Sequence, residues 1–324
     1  MHLPTSQLSV PRVIIDTDPG IDDAAAILFA LGLEKLNRLE LLALTTVCGN
    51  VPLELTQKNA RLVCDWAERF DVSVYAGAEA PFLNDVAHAE EVHGHTGLEE
   101  MAALVEPKTP LQPVLALEFL IETLESAPER SITLCALGPL TNIGLVLKFR
   151  PSCAKGIKEI VVMGGTYLEP GNITPNAEFN FFVDPIAARI VLESKVPLCI
   201  LPLDVTHRAC VTTPRMDRLR ILANTNGRRI ADLLQSYSRY DIQQFGLEGG
   251  ALHDPCPVAY LVEPDLFTSK PVFATIEVNQ GLMQGAVQVD WYQRLGHLPN
   301  VKWVYDLKAD AFFELFTLAL SELI

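Results

Sequence analysis

Four aspartates, Asp16, Asp18, Asp22 and Asp23, fall within residues 16–23. They follow the apolar run Val13-Ile14-Ile15 and precede Ala24-Ala25-Ala26, so a strand should end, turn at Pro19-Gly20 and give way to a helix. Asp16 and Asp18 are two apart, and at an extended strand end their side chains point the same way. Asp22 and Asp23 occupy the first helical turn, where the macrodipole favours negative charge. A single capping aspartate is ordinary, and Asp184 before Pro185 reads as one. Four carboxylates converging on one point repel each other strongly at low dielectric. A hard divalent cation relieves that repulsion, and both Ca²⁺ and Mg²⁺ take carboxylate oxygen.

Two other chemistries compete for this turn. An EF-hand does not fit, because the twelfth position from Asp16 is Ile27 and Pro19 interrupts the loop. The Asp-x-Asp turn also suits a phosphohydrolase of the haloacid-dehalogenase type. That chemistry wants a downstream Gly-Asp pair, and the sequence has no Gly-Asp dipeptide.

The elements that must position these carboxylates read as strand and helix in alternation. Strands are expected at Val13–Asp16, Leu41–Val47, Val72–Ala76, Ile132–Leu137, Ile160–Met163, Leu198–Leu203, Val272–Val278 and Lys302–Tyr305. Helices are expected at Asp22–Leu33, Leu53–Phe70, Val114–Glu125, Leu140–Phe149, Pro185–Ser194 and Ala309–Leu323. Several strands are apolar on both faces, which predicts an α/β fold: an open, mostly parallel sheet flanked by helices. One domain is expected over residues 1–324, with the helix-rich segment at about 214–250 forming a cap. Pro, Gly and charge cluster at Asn84–Gly97 and Glu169–Asn180, which read as active-site loops.

Composition narrows the partner. Hydrophobic residues make up 49% of 324 and charged residues 20%, enough for a large packed core. Lys and Arg total 25 against 40 acidic residues, a formal charge of −15 that disfavours nucleic acid and favours a small molecule or a metal ion. The seven cysteines are scattered with no CxxC pair, as expected of reduced thiols. No signal peptide and no membrane-spanning run is evident, so a cytoplasmic protein with no membrane partner is expected.

The string DTDPGIDDAAAI (16–27) resembles the signature of the nucleoside hydrolase family. Further resemblances follow in order: TTVCGN (45–50), VHGHTGL (92–98), LGPLTNIGL (137–145), VVMGG (161–165), GNITPNAEFNFFVDP (171–185) and HDPCPV (253–258). Together they span about 250 residues, from the first strand to the His-Asp-Pro segment. The resemblance implies hydrolysis of the N-glycosidic bond of a ribonucleoside, with one Ca²⁺ per subunit at the floor of a ribose pocket. Carried over by position, Asp18, Asp23, Asp254 and the main-chain carbonyl of Leu137 would hold the ion. Asp16 would be a carboxylate behind it. Asp18 would act as general base and Asn50 would help to position the attacking water or a sugar hydroxyl. Asp22, Asn172, Glu178 and Asn180 would grip the ribose hydroxyls, and Met163 and Phe179 would line its apolar face. Relatives of this kind form homodimers or homotetramers.

Breaking such a bond leaves positive charge on the sugar and negative charge on the departing base. His253, directly before Asp254, could protonate that base if it titrates near neutrality. His93 would reach the base or the ribose from a mobile loop. Tyr237 and Tyr240, three apart on an expected helix, could contact the base, and Phe245 could stack on it. Trp66, Trp291 and Trp303 lie away from these motifs, and His253 matches the inosine-uridine and pyrimidine branches of the family, so an enzyme leaning to inosine and uridine or to pyrimidines is expected. A silent nucleoside-binding protein is the non-enzymatic alternative.

Overall fold

The structure, a computed structural model, describes residues 10–82, 87–98 and 106–324, the side chains of Glu90 and Tyr240 excepted. Nine strands form the main sheet: β1 (Arg12–Thr17), β2 (Glu40–Thr46), β3 (Val74–Ala76), β4 (Ile132–Ala136), β5 (Ile157–Met163), β6 (Leu198–Leu201), β7 (Phe267–Ile276), β8 (Val287–Asp290) and β9 (Val301–Leu307). Their spatial order is β8-β7-β9-β6-β5-β4-β1-β2-β3. Every pairing from β3 to β9 is parallel, and β7 pairs antiparallel with both β9 and β8.

Strand alternation divides the core between two faces. Val13, Ile15, Cys135 and Val161 bury against one set of helices, while Ile14, Leu134, Ile160 and Val162 bury against another. The first set includes the helices Ile21–Lys35, Thr225–Phe245, Pro255–Val262 and Ala309–Ser321. The second includes Ala116–Ser126, Thr141–Phe149 and Pro185–Glu193. Helix Ile21–Lys35 is buried on every side from Ile21 to Leu33, so its alanines pack between sheet and outer helices where longer side chains would not fit.

Chain order reverses between β1 and β4: the chain runs outward from β1 through β2 to β3, then returns to place β4 on the other flank of β1. Such a switch point opens a crevice beyond the carboxyl ends of the strands. The Asp16–Asp18 turn and Leu137 sit at its two lips, tied by the Leu137 N–H donating to the Asp16 carbonyl at 2.7 Å.

Most expected elements appear, with shifted ends. The strand expected through Leu203 stops at Leu201, because Pro202 opens the short helix Leu203–Thr206. The strand expected from Val272 starts at Phe267. Strand β8 was not expected, and helix Pro255–Val262 was expected only as a helix entered after His253, with no bounds given. The first is a four-residue, partly exposed edge, and the second hides behind prolines at its first turn, where proline is tolerated.

Candidate active site

Asp16, next to the last residue of β1, is buried, its Oδ1 accepting from the Thr45 hydroxyl at 2.5 Å and the Asn142 amide at 2.8 Å. Among the described residues its Oδ2 has no hydrogen-bond partner, and burial raises the carboxyl to about 6. Asp18 lies between two chain segments that approach as glycine. A Cβ on Gly49 would stand 2.0 Å from Asp18 Oδ2, and one on Gly138 would stand 2.2 Å from Oδ1. No other residue leaves room for that carboxylate. Asp18 Oδ2 accepts the Asn50 backbone N–H at 2.7 Å, while the Asn50 amide donates to the Asp18 carbonyl and to Asp23 Oδ2, each at 3.1 Å. Asp23 is further held by the Thr17 hydroxyl and the Gly20 N–H.

The distant His-Asp-Pro segment arrives at this same turn. Carboxylate oxygens of Asp22, Asp23 and Asp254 lie within 4.8 Å of one another, all buried. Burial, then repulsion from Asp23, pushes Asp18 and Asp22 well above the usual carboxylate range; burial, then repulsion from Asp22, does the same to Asp254. Asp18 also acts on Asp254 electrostatically, so the four carboxylates form one mutually repelling group. These three include Asp22, which the resemblance assigned to ribose, and do not include Asp18. This oxygen donor set, uncompensated by any lysine or arginine among the described residues lining the cavity above it, fits a hard divalent cation.

That cavity measures about 490 Å³. Asp22, Asn50, Leu137 and Asp254 reach its lining, whereas Asp16, Asp18 and Asp23 lie behind it. Met163, Asn172, Glu178, Phe179 and Asn180 form another wall. Glu178 caps the helix Phe179–Val183, accepting from the N–H groups of Asn180, Phe181 and Gly165, while burial raises it to about 7. The Asn180 amide donates to the carbonyls of Leu137 at 2.7 Å and Met163 at 3.1 Å, and Asn172 Oδ1 accepts the Phe179 N–H. The Leu137 carbonyl, expected as an ion ligand, thus keeps one lone pair free.

Aromatic and imidazole side chains, His93, Tyr237 and His253 among them, line the remaining side. His93, on the short helix Glu90–His93, is buried over Gly20, and its Nδ1 accepts the Ile21 N–H at 3.1 Å. Burial lowers it to about 4, so the ring is neutral with its hydrogen on Nε2. Its ring stacks 5.7 Å from Tyr237, which also lines the cavity. His253 lines it as well, with Nδ1 2.7 Å from the Thr206 hydroxyl. Burial, with His207 and His93 nearby, pushes His253 well below its usual value. Tyr240's side chain lies outside the described residues.

Sequence reasoning missed His88, Thr206 and Asp241. His88 lines the cavity with Nδ1 2.7 Å from the Gly49 carbonyl. Asp241 was legible in principle, being one helical turn beyond Tyr237. Thr206 was not, since it touches the site only through His253.

The chain matches the family described as inosine-uridine preferring nucleoside hydrolase over residues 13–314. It is 37% identical to the pyrimidine-specific ribonucleoside hydrolase RihA of Enterobacter sp. (strain 638), covering 96% of this chain and 97% of that one. Its fold resembles that of a plant nucleoside hydrolase with a TM-score of 0.89 and 29% identity, over 96% of this chain and 99% of the other. A purine-preferring ribonucleoside hydrolase from Gardnerella vaginalis gives a TM-score of 0.85 at 29% identity, over 96% and 98%. The chain belongs to the nucleoside hydrolase family and is an N-glycosidase of ribonucleosides.

Proposed function

We propose that this enzyme hydrolyses ribonucleosides in a calcium-dependent reaction, with inosine and uridine or the pyrimidine nucleosides as its preferred substrates. One observation carries the reading: the Asp22, Asp23 and Asp254 carboxylates meet, and two of them, Asp22 and Asp254, line the cavity that Asn172, Glu178 and Asn180 also line. Asp18, Asp23, Asp254 and the Leu137 carbonyl would hold the ion, with Asp22 within reach and Asp16 behind. When bound, a divalent cation would offset the crowded negative charge and act as a Lewis acid on the attacking water.

The chain's own groups do the rest. Asp18, fixed by the Asn50 N–H, takes a proton from the water, and the Asn50 side chain keeps the turn from opening. Asp22, Asn172, Glu178 and Asn180 hold the ribose hydroxyls, and the carboxylates of Asp22 and Glu178 favour the cationic sugar of the transition state. Met163 and Phe179 exclude water from the sugar's apolar face. His253, with its Nδ1 taken by Thr206, turns an Nε2–H toward the departing base and stabilises the charge growing there. His93 and Tyr237 pack against the base, and the helices within 214–250 act as its cap.

The preference for uridine draws support from the pyrimidine-specific relative and that for inosine from the family's description, although the Gardnerella neighbour is named for purines. Seven unpaired thiols suit a reducing, cytoplasmic setting, and a homodimer or homotetramer is the expected assembly. Among the described residues no helix is long and apolar enough to cross a membrane. Ribose release measured as reducing sugar from inosine, adenosine, uridine and cytidine tests the reading. Release from uridine or inosine ahead of adenosine is expected, and no release from any of the four overturns it.

A further inference from the structure

Tyr237, Asp241 and Phe245 are spaced four apart on the helix Thr225–Phe245, so they share one face, and all three line the cavity. Asp241 is only 3% exposed. Its Oδ2 accepts the Ala251 N–H at 2.7 Å, which fixes the carboxylate plane. Among the described residues its other oxygen takes no hydrogen bond. No lysine or arginine among the described lining residues offers it a partner. An acceptor open to a cavity can be met by water in the free enzyme and by a donor of the ligand when one fills the cavity.

The position of Asp241 decides which part of a nucleoside would supply it. The turn carrying Asp22 and the Glu178–Asn180 wall offer the groups suited to sugar hydroxyls. Asp241 instead sits between two rings, Tyr237 and Phe245, on the side shared with His93 and His253. A flat base belongs among those rings. We infer that Asp241 accepts a hydrogen bond from an N–H of the leaving base, and so selects nucleosides whose base carries a donor on the edge away from the sugar. Uracil offers its N3–H and hypoxanthine its N1–H. A base with only acceptors or a methyl group on that edge would leave the carboxylate without a partner. This inference rests on the glycosidase reading above.

The test compares kcat/KM for uridine with 3-methyluridine, and for inosine with 1-methylinosine, in the wild type and in Asp241→Asn. The asparagine keeps the volume and an oxygen for the Ala251 N–H but presents an amide donor to the cavity. The wild type should prefer at least one parent nucleoside over its methylated form by about 30-fold or more. Asp241→Asn should compress that ratio to within about threefold, since a donor gains nothing from the N–H. Equal wild-type rates on both pairs would overturn the inference without any variant being made. A ratio that survives unchanged in Asp241→Asn would also overturn it, by assigning the discrimination to steric bulk. Release of p-nitrophenol from p-nitrophenyl riboside by the wild type keeps the two readings apart. If that substrate is cleaved and the ratios fail, the role of Asp241 alone falls. If neither it nor any nucleoside is cleaved, the glycosidase reading falls with it.

Discussion

The Thr206 hydroxyl lies 2.7 Å from Nδ1 of His253, with both side chains buried. A donated O–H at Nδ1 leaves the imidazole hydrogen on Nε2, the nitrogen that can face the cavity. Thr206→Val removes that constraint without changing the shape of the site. Turnover of inosine should drop on the order of tenfold with KM little altered, and Thr206→Ser should restore it. Steady-state kinetics check this, and a valine variant with wild-type turnover would show the tautomer needs no support.

His253→Ala should reveal what the base requires. Inosine turnover should drop by roughly two to three orders of magnitude, because its base is a poor leaving group. p-Nitrophenyl riboside, with a leaving group that needs no help, should lose far less. Equal losses on the two substrates would place His253 in sugar binding instead.

Asp18→Asn removes the proposed general base from its slot between Gly49 and Gly138 while keeping its volume. Turnover should fall by about 10²-fold or more, with the far-ultraviolet circular dichroism and the melting temperature close to wild type. Near-normal ribose release would assign the water's proton to another carboxylate.

Asp204 tests how the ribose wall is anchored. Its buried carboxylate accepts the backbone N–H groups of Tyr167, Leu168 and Glu169, at the base of the loop that carries Asn172. Asp204→Ala strands three donors and should cost about 2–4 kcal/mol of stability. It should also raise KM for nucleosides more than it lowers kcat. Denaturant unfolding and kinetics measure the two effects, and an unchanged KM would separate this anchor from sugar binding.

Local chemistry made much of this site readable before the fold was known. The Asp16–Asp23 turn announces itself because four like charges in eight residues need a common reason. The parallel sheet was equally plain, since strands such as Ile160–Met163 bury both faces. What stayed hidden depends on contacts across the chain. The meeting of Asp254 with Asp23 was expected only from the family resemblance, not from spacing, and that of Asp254 with Asp22 was not expected. The low pKa of His253 arises from burial beside His207 and His93, which no local pattern encodes. Thr206 and His88 carry no motif, and strand β8 is too short and too exposed to stand out.

The most direct test is to strip the protein with a chelator, titrate Ca²⁺ back by calorimetry, and measure ribose release from uridine and inosine on the same samples. Wild type should be inactive when stripped, bind close to one ion per subunit and recover activity in proportion, while Asp254→Asn should bind far more weakly and stay inactive. Full ribose release from chelator-treated wild type, with no calcium bound, would contradict the claim that the acidic turn and Asp254 work through a shared ion.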